Sequence, residues 1–216
     1  MVDSGAGSAT NHDLIDQLSA SLTPVRRPRP AAMRALGWAA LALPCGFAMT
    51  RLIPHYQPDW HAPMMMWSMM EIPLALCIGA GALVLAFQAS IAGQGLRGRG
   101  VLAALVLAWL TISIANVVVS PPHPIRPGAG MYCFTFMMLG SAPIMPMVIW
   151  ALRRTRALRP GRVLALAGTG IAFLVAGLLG FCHPGSLHPI DFVMHLAAGL
   201  TIVGLTTLLG RRLIVI

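Results

Sequence analysis

The chain has 216 residues, of which 57% are hydrophobic and 10% charged, with a mean hydropathy of +0.77. Soluble domains carry about 25% charged residues and disordered chains pair low hydrophobicity with high charge, so both classes are excluded. Aromatics at 6% are too few for the girdles of an outer-membrane barrel, and the apolar runs lack period two, which leaves an all-α, polytopic membrane protein.

The first element is a tail, residues 1–32. Within it, Asn11 to Leu22 reads as a short helix over about 11–22, with Asn11 as N-cap and Asp13 suited to the helix dipole. Leu14, Ile15, Leu18 and Leu22 form one apolar stripe, and Thr23-Pro24 ends the helix. So short a helix is marginal alone in water. Its stripe therefore calls for a lipid interface or a protein groove, and binding would fold it. Asp13 and Asp16 on the polar face disfavour an anionic membrane surface, where Lys or Arg is the usual choice. Val25-Arg26-Arg27-Pro28-Arg29-Pro30 follows, stiff, basic and suited to anionic headgroups. No apolar core precedes about residue 35, so a cleaved secretory signal is not expected.

Six spans follow within a membrane domain over 33–210, at about 35–53, 65–89, 101–119, 129–152, 161–182 and 190–209, each long enough for a core of about 30 Å. Breaker-rich segments separate them, among them Pro54 to Pro63, Gly93-Gln94-Gly95, Ser120-Pro121-Pro122-His123-Pro124, Arg159-Pro160-Gly161 and His183-Pro184-Gly185. Residues 211–216 form a short C-tail. All 15 basic residues are Arg. All but Arg51 and Arg126 fall in the N-tail and first helix start, the second–third and fourth–fifth loops, and the C-tail. By the positive-inside rule both termini are cytoplasmic in a bacterial inner membrane. The net charge of +9 is thereby a matter of topology, and no direct nucleic-acid contact is expected.

This orientation sorts the reactive groups. His55, His61, His123, His183 and His188 fall in outer loops, Cys133 lies near the outer start of the fourth span, and Cys182 closes the fifth. Thiols there meet an oxidising compartment, and thiolate with imidazole suits soft or borderline metals. A redox site, a metal site, a site doing both, and plain buried thiols with solvated histidines all stay open. A disulfide would need Cα atoms within about 7 Å, and the chain has neither CxxC nor HExxH. Asp191 and His195, at i and i+4, share one helix face and with Cys133 and Cys182 could form an outer polar pocket. Glu71 inside the second span should face a bundle interior or cavity, either paired with His195 or Arg126 or simply protonated. Cys45 and Cys77 read as buried small hydrophobes. The run Met64-Met65-Met66-Trp67-Ser68-Met69-Met70 reads as packing filler rather than a copper site.

The Leu14–Leu18 helix, Leu22-Thr23-Pro24-Val25-Arg26, six spans, one Cys at the outer start of the fourth, Cys182-His183-Pro184, His195 and Leu208-Leu209-Gly210-Arg211-Arg212-Leu213 occur in that order. In this combination the chain resembles the NrsF-type family, negative regulators of the extracytoplasmic-function (ECF) sigma factor sigma F, over essentially its whole length. The resemblance implies an inner-membrane anti-sigma factor, not an enzyme, whose partners are an ECF-type sigma factor and the lipid bilayer. Leu14, Ile15, Leu18 and Leu22 would bind sigma, and Cys133 and Cys182 would sense heavy-metal or oxidative stress. His183, His188, His195, Asp191, Glu71, His55, His61 and His123 are candidate helpers. No cofactor is required beyond a transient soft metal ion at the outer cysteines. The rival reading is a metal-handling or small-solute transporter built around Glu71, His195 and the methionines. A membrane thiol oxidoreductase is weaker for want of a CxxC.

Overall fold

The computed structural model describes residues 6–22, 29–51, 58–91, 93–121, 130–155, 157–183 and 185–214. Among them are seven helices and no strand: α1 (Ala6–Ala20), α2 (Ala31–Thr50), α3 (Met65–Ala89), α4 (Arg99–Val119), α5 (Met131–Arg153), α6 (Pro160–Gly180) and α7 (Pro189–Ile214). The last six are long and apolar enough to cross a membrane. Three boundaries differ from expectation. α1 begins at Ala6, so Asn11 is an interior residue and not the N-cap, and it ends at Ala20, so Leu22 lies just past the helix. α7 runs to Ile214, so Arg211 and Arg212 lie in its last turn rather than in a separate tail, where cations suit the helix dipole.

Close backbone approach sets the packing, as expected between helices that gain nothing from leaving an equally apolar lipid. α6 packs most extensively on α3 and then on α7. A Cβ on Gly79 would stand 2.7 Å from Leu174 Cγ, and one on Gly170 would stand 2.8 Å from Leu83 Cγ. α3 and α6 are therefore antiparallel, since rising numbers on one meet falling numbers on the other. Gly168 seats Val203 of α7, whose Cα would lie 2.7 Å from an added Cβ. α2 lies antiparallel along α5, with Gly46 against Ile144 and Trp38 edge-on to Trp150 at 6.3 Å. α5 and α7 run parallel, both starting at the same end of the bundle.

α4 is peripheral, and of its 21 residues only Ser113 and Asn116 are buried. Trp109 ties it to Phe173 of α6 at 5.1 Å. Alternate crossings give the bundle two unlike ends. One, the Cys–His end, carries the ends of α2, α4 and α6 and the starts of α3, α5 and α7, with Cys133, Cys182, His183, His188 and His195. The other carries the starts of α2, α4 and α6 and the ends of α3, α5 and α7.

Several in-span expectations need correcting. In the methionine run Met65 is buried, while Met66, Met69 and Met70 are about half exposed, so only Met65 fills the core. Cys77 is exposed and Cys45 half-buried, so neither is a buried core thiol. An apolar bundle face and a lipid-facing one have the same composition, which is why hydropathy does not separate them.

Candidate functional site

α5 is preceded by Gly130, which holds φ at 79°, a left-handed conformation that glycine adopts without steric cost. A Cβ there would stand 2.6 Å from Met194 Cγ and 3.1 Å from Ile190 Cγ2. Glycine thus lets the start of α5 lie directly against the first turns of α7. α7 in turn is capped by His188. Its carbonyl accepts from the Phe192 N–H at 3.0 Å, and its Nδ1 accepts from the Ile190 N–H at 3.2 Å. The cap fixes where the helix starts, and so where Asp191 and His195 point.

Cys133 is buried, and its thiol donates to Asp191 Oδ1 at 3.9 Å. His183, in the turn after α6, is buried as well, with its ring 5.6 Å from that of His195 between centroids. Cys133 Sγ and one nitrogen from each of His183 and His195 all lie within 4.8 Å of one another. They are the one group of three potential metal ligands among the described residues.

A polar network anchors the turn that carries His183. Asn116 Nδ2 donates to the Gly185 carbonyl at 3.2 Å and to Glu71 Oε1 at 3.3 Å. Asn116 Oδ1 accepts from the Leu187 N–H at 3.3 Å and from Ser120 Oγ at 3.1 Å, and Ser120 Oγ accepts from the same Leu187 N–H at 3.1 Å. Gly185 itself lies flat on Met64, whose carbonyl carbon would be 2.5 Å from an added Cβ. α3, α4 and the α6–α7 turn are thus bound together around a cavity of about 50 Å³, whose polar lining is Ser68, Glu71, Ser113, Asn116, His183 and His195.

Asp191 and His195 do share a face and do meet Cys133. The fourth member of that group is His183. Cys182 packs at the edge of the same core but stands outside the ligand group, and both cysteines are free thiols with no disulfide between them. Burial pushes the Cys182 thiol up, and the positive charge of Arg51 partly offsets this. Glu71 is bonded to Asn116 rather than paired with His195, and Arg126 lies outside the described residues. His188 acts as a helix cap. His61 is exposed, in a turn where its N–H donates to Asp59 Oδ1 at 3.0 Å. His55 and His123 lie outside the described residues. Asn116, Ser113 and Ser120 were not singled out from the sequence, although polar residues at spacings of three and four inside an apolar run carry that signal.

Away from this site, α1 carries exposed apolar side chains. Leu14, Ile15, Leu18 and Leu22 are 53%, 59%, 58% and 75% exposed, and α1 makes no extended packing with any span.

The fold and these two features define a class: a multi-pass helical membrane protein with an apolar helix left outside the bundle. The family model described as NrsF, negative regulator of sigma F, matches residues 18–215. That is nearly the whole chain, and the protein belongs to this family of sigma-factor regulators. The match takes in Leu18, Leu22, Cys133 and Cys182, while Leu14 and Ile15 precede it. No curated protein and no solved structure matches the chain.

Proposed function

We propose that this protein is an inner-membrane anti-sigma factor that holds an ECF-type sigma factor on α1 and releases it under heavy-metal or oxidative stress. In this reading both termini are cytoplasmic, and the Cys–His end, with Cys133 and Cys182 as the sensing pair, faces the oxidising side. The observation that carries it is the exposed stripe of Leu14, Ile15, Leu18 and Leu22 in a chain of this family. Leu14, Ile15 and Leu18 on α1, with Leu22 two residues past its end, are a typical helix-in-groove ligand. The acidic residues Asp13 and Asp16 between them favour a basic protein groove over an anionic bilayer.

Release requires the Cys–His end to alter α1 across about 30 Å of bilayer. α5 supplies a continuous connection, with Cys133 near its start, Pro143 and Pro146 inside it and Trp150 against Trp38 of α2 near its end. α2 continues the chain directly from the tail. A hundredfold weakening of sigma binding needs a coupling of about 2.7 kcal/mol, which a bound metal or a disulfide can supply. The small-solute transporter reading gains no support from the cavity at Glu71. At about 50 Å³ it has room for a few waters, each needing at least about 10–15 Å³, and not for an organic solute.

Co-purification from cells tests the reading. With Leu18→Asp in the full-length protein, the amount of sigma factor captured should fall at least tenfold while membrane insertion is unchanged. Capture equal to that of the unaltered protein would refute the role of α1.

A further inference from the structure

We propose that Cys133, His183 and His195 bind a single divalent cation of the zinc class (zinc, cadmium or cobalt), with Asp191 as fourth ligand and Cys182 outside the ligand set. The proposal takes its purpose from the sensing role above, but its chemistry stands on the geometry alone.

Three elements converge on the site, namely the first turn of α5, the α6–α7 turn and the first two turns of α7. One thiol and two imidazoles are the donors that borderline and soft dications select, and hard cations such as calcium and magnesium do not. In a tetrahedral site with metal–sulfur near 2.3 Å and metal–nitrogen near 2.0–2.1 Å, ligand atoms stand about 3.3–3.6 Å apart. The three atoms here lie within 4.8 Å of one another, so a contraction of about an ångström brings them to bonding distance, while Asp191, outside that group, must swing in further to complete the cage. Asp191 Oδ1 already faces the sulfur at 3.9 Å and comes from the same helix face as His195. A thiolate and a carboxylate together neutralise a dication, which suits a site buried at the edge of an apolar bundle.

On binding, the Cys133 S–H bond breaks. Its electron pair stays on sulfur to form the metal–sulfur bond, and the proton leaves to water, one for each ion bound. Asn116 holds the turn just after His183 through the Gly185 carbonyl and the Leu187 N–H. Such support usually fixes ligand orientation and affinity. Contraction of the site would draw the starts of α5 and α7 toward the α6–α7 turn. That is a defined displacement at the end of the helix that contacts α2.

Cobalt(II) titration of the reduced, purified full-length protein in detergent tests the assignment. The expected result is one ion per chain, with a thiolate-to-cobalt charge-transfer band and ligand-field bands of tetrahedral strength. Cys133→Ser should abolish the charge-transfer band, and His195→Ala should weaken cobalt binding at least tenfold. Cys182→Ser should leave both band and affinity unchanged. His183→Cys should roughly double the charge-transfer intensity, a gain that misfolding does not produce. Absence of the band in the unaltered protein overturns the site, as does its loss in Cys182→Ser or unchanged intensity in His183→Cys. Because no sigma factor is present, the two readings separate. Normal cobalt spectra with no metal effect on sigma capture leave the site standing and remove the sensing role. Metal-induced release with no cobalt spectrum does the reverse.

Discussion

Burial holds the Cys182 thiol above its ordinary range while Arg51 draws it back, so at neutral pH little of it is thiolate, the form that attacks and is oxidised. A raised value means that reactivity climbs with pH and levels off later than for a free thiol, whose midpoint is near 8.5. In a variant with Cys45, Cys77 and Cys133 replaced by Ser, the iodoacetamide rate should still be rising at pH 9. Arg51→Gln should push the midpoint higher and slow the reaction at pH 7.5. A plateau below about pH 8.5 would show that the thiol is not shielded. At this scale the Asp191–His195 pair was legible, because i, i+4 spacing on a helix is a local property. The partnership of His183 with Cys133 was not. It depends on a turn folded back by Asn116 from another helix, and nothing in the local spacing around His183 encodes that hydrogen bond.

Between elements, stability rests on a few glycines that let backbones touch. Gly79 is the clearest case, since an added methyl would meet both the side chain and the backbone nitrogen of Leu174, the latter at 2.8 Å. Backbone cannot yield as a flexible side-chain tip can, so Gly79→Ala must push α3 away from α6, at a cost of about 1–3 kcal/mol. Thermal unfolding in detergent should show a clearly lowered midpoint, and an unchanged midpoint would mean that this contact is looser than described. Gly81, two residues on, has only Leu102 Cδ1 nearby at 3.5 Å, so Gly81→Ala is the matched control and should be near neutral. The six spans themselves were readable, because a run of about twenty apolar residues has few other fates. Which face of each span meets protein was not, as the exposed Met66, Met69 and Met70 illustrate. The early start of α1 was missed for a simpler reason. Ala6 to Thr10 carries no apolar stripe, and Asn11 imitates a cap.

Taken whole, the bundle is asymmetric along its axis, with Cys133, Cys182, His183, His188 and His195 at one end and most of the arginines at the other. Six helices long enough to cross a membrane return the chain to the side it left, so in the proposed reading the tail and the Cys–His end lie on opposite sides. The stripe on α1 and the Cys133–His183–His195 group are each a local feature, and regulation requires that they be coupled. The most direct measurement is capture of the sigma factor by the tagged, full-length protein from solubilised membranes, with and without prior exposure of the cells to cadmium. The expected result is that an ECF-type sigma factor co-purifies from untreated cells and is reduced at least tenfold after cadmium, with no reduction in Cys133→Ser. If no sigma factor co-purifies, or if equal amounts are recovered with and without cadmium, the account is contradicted.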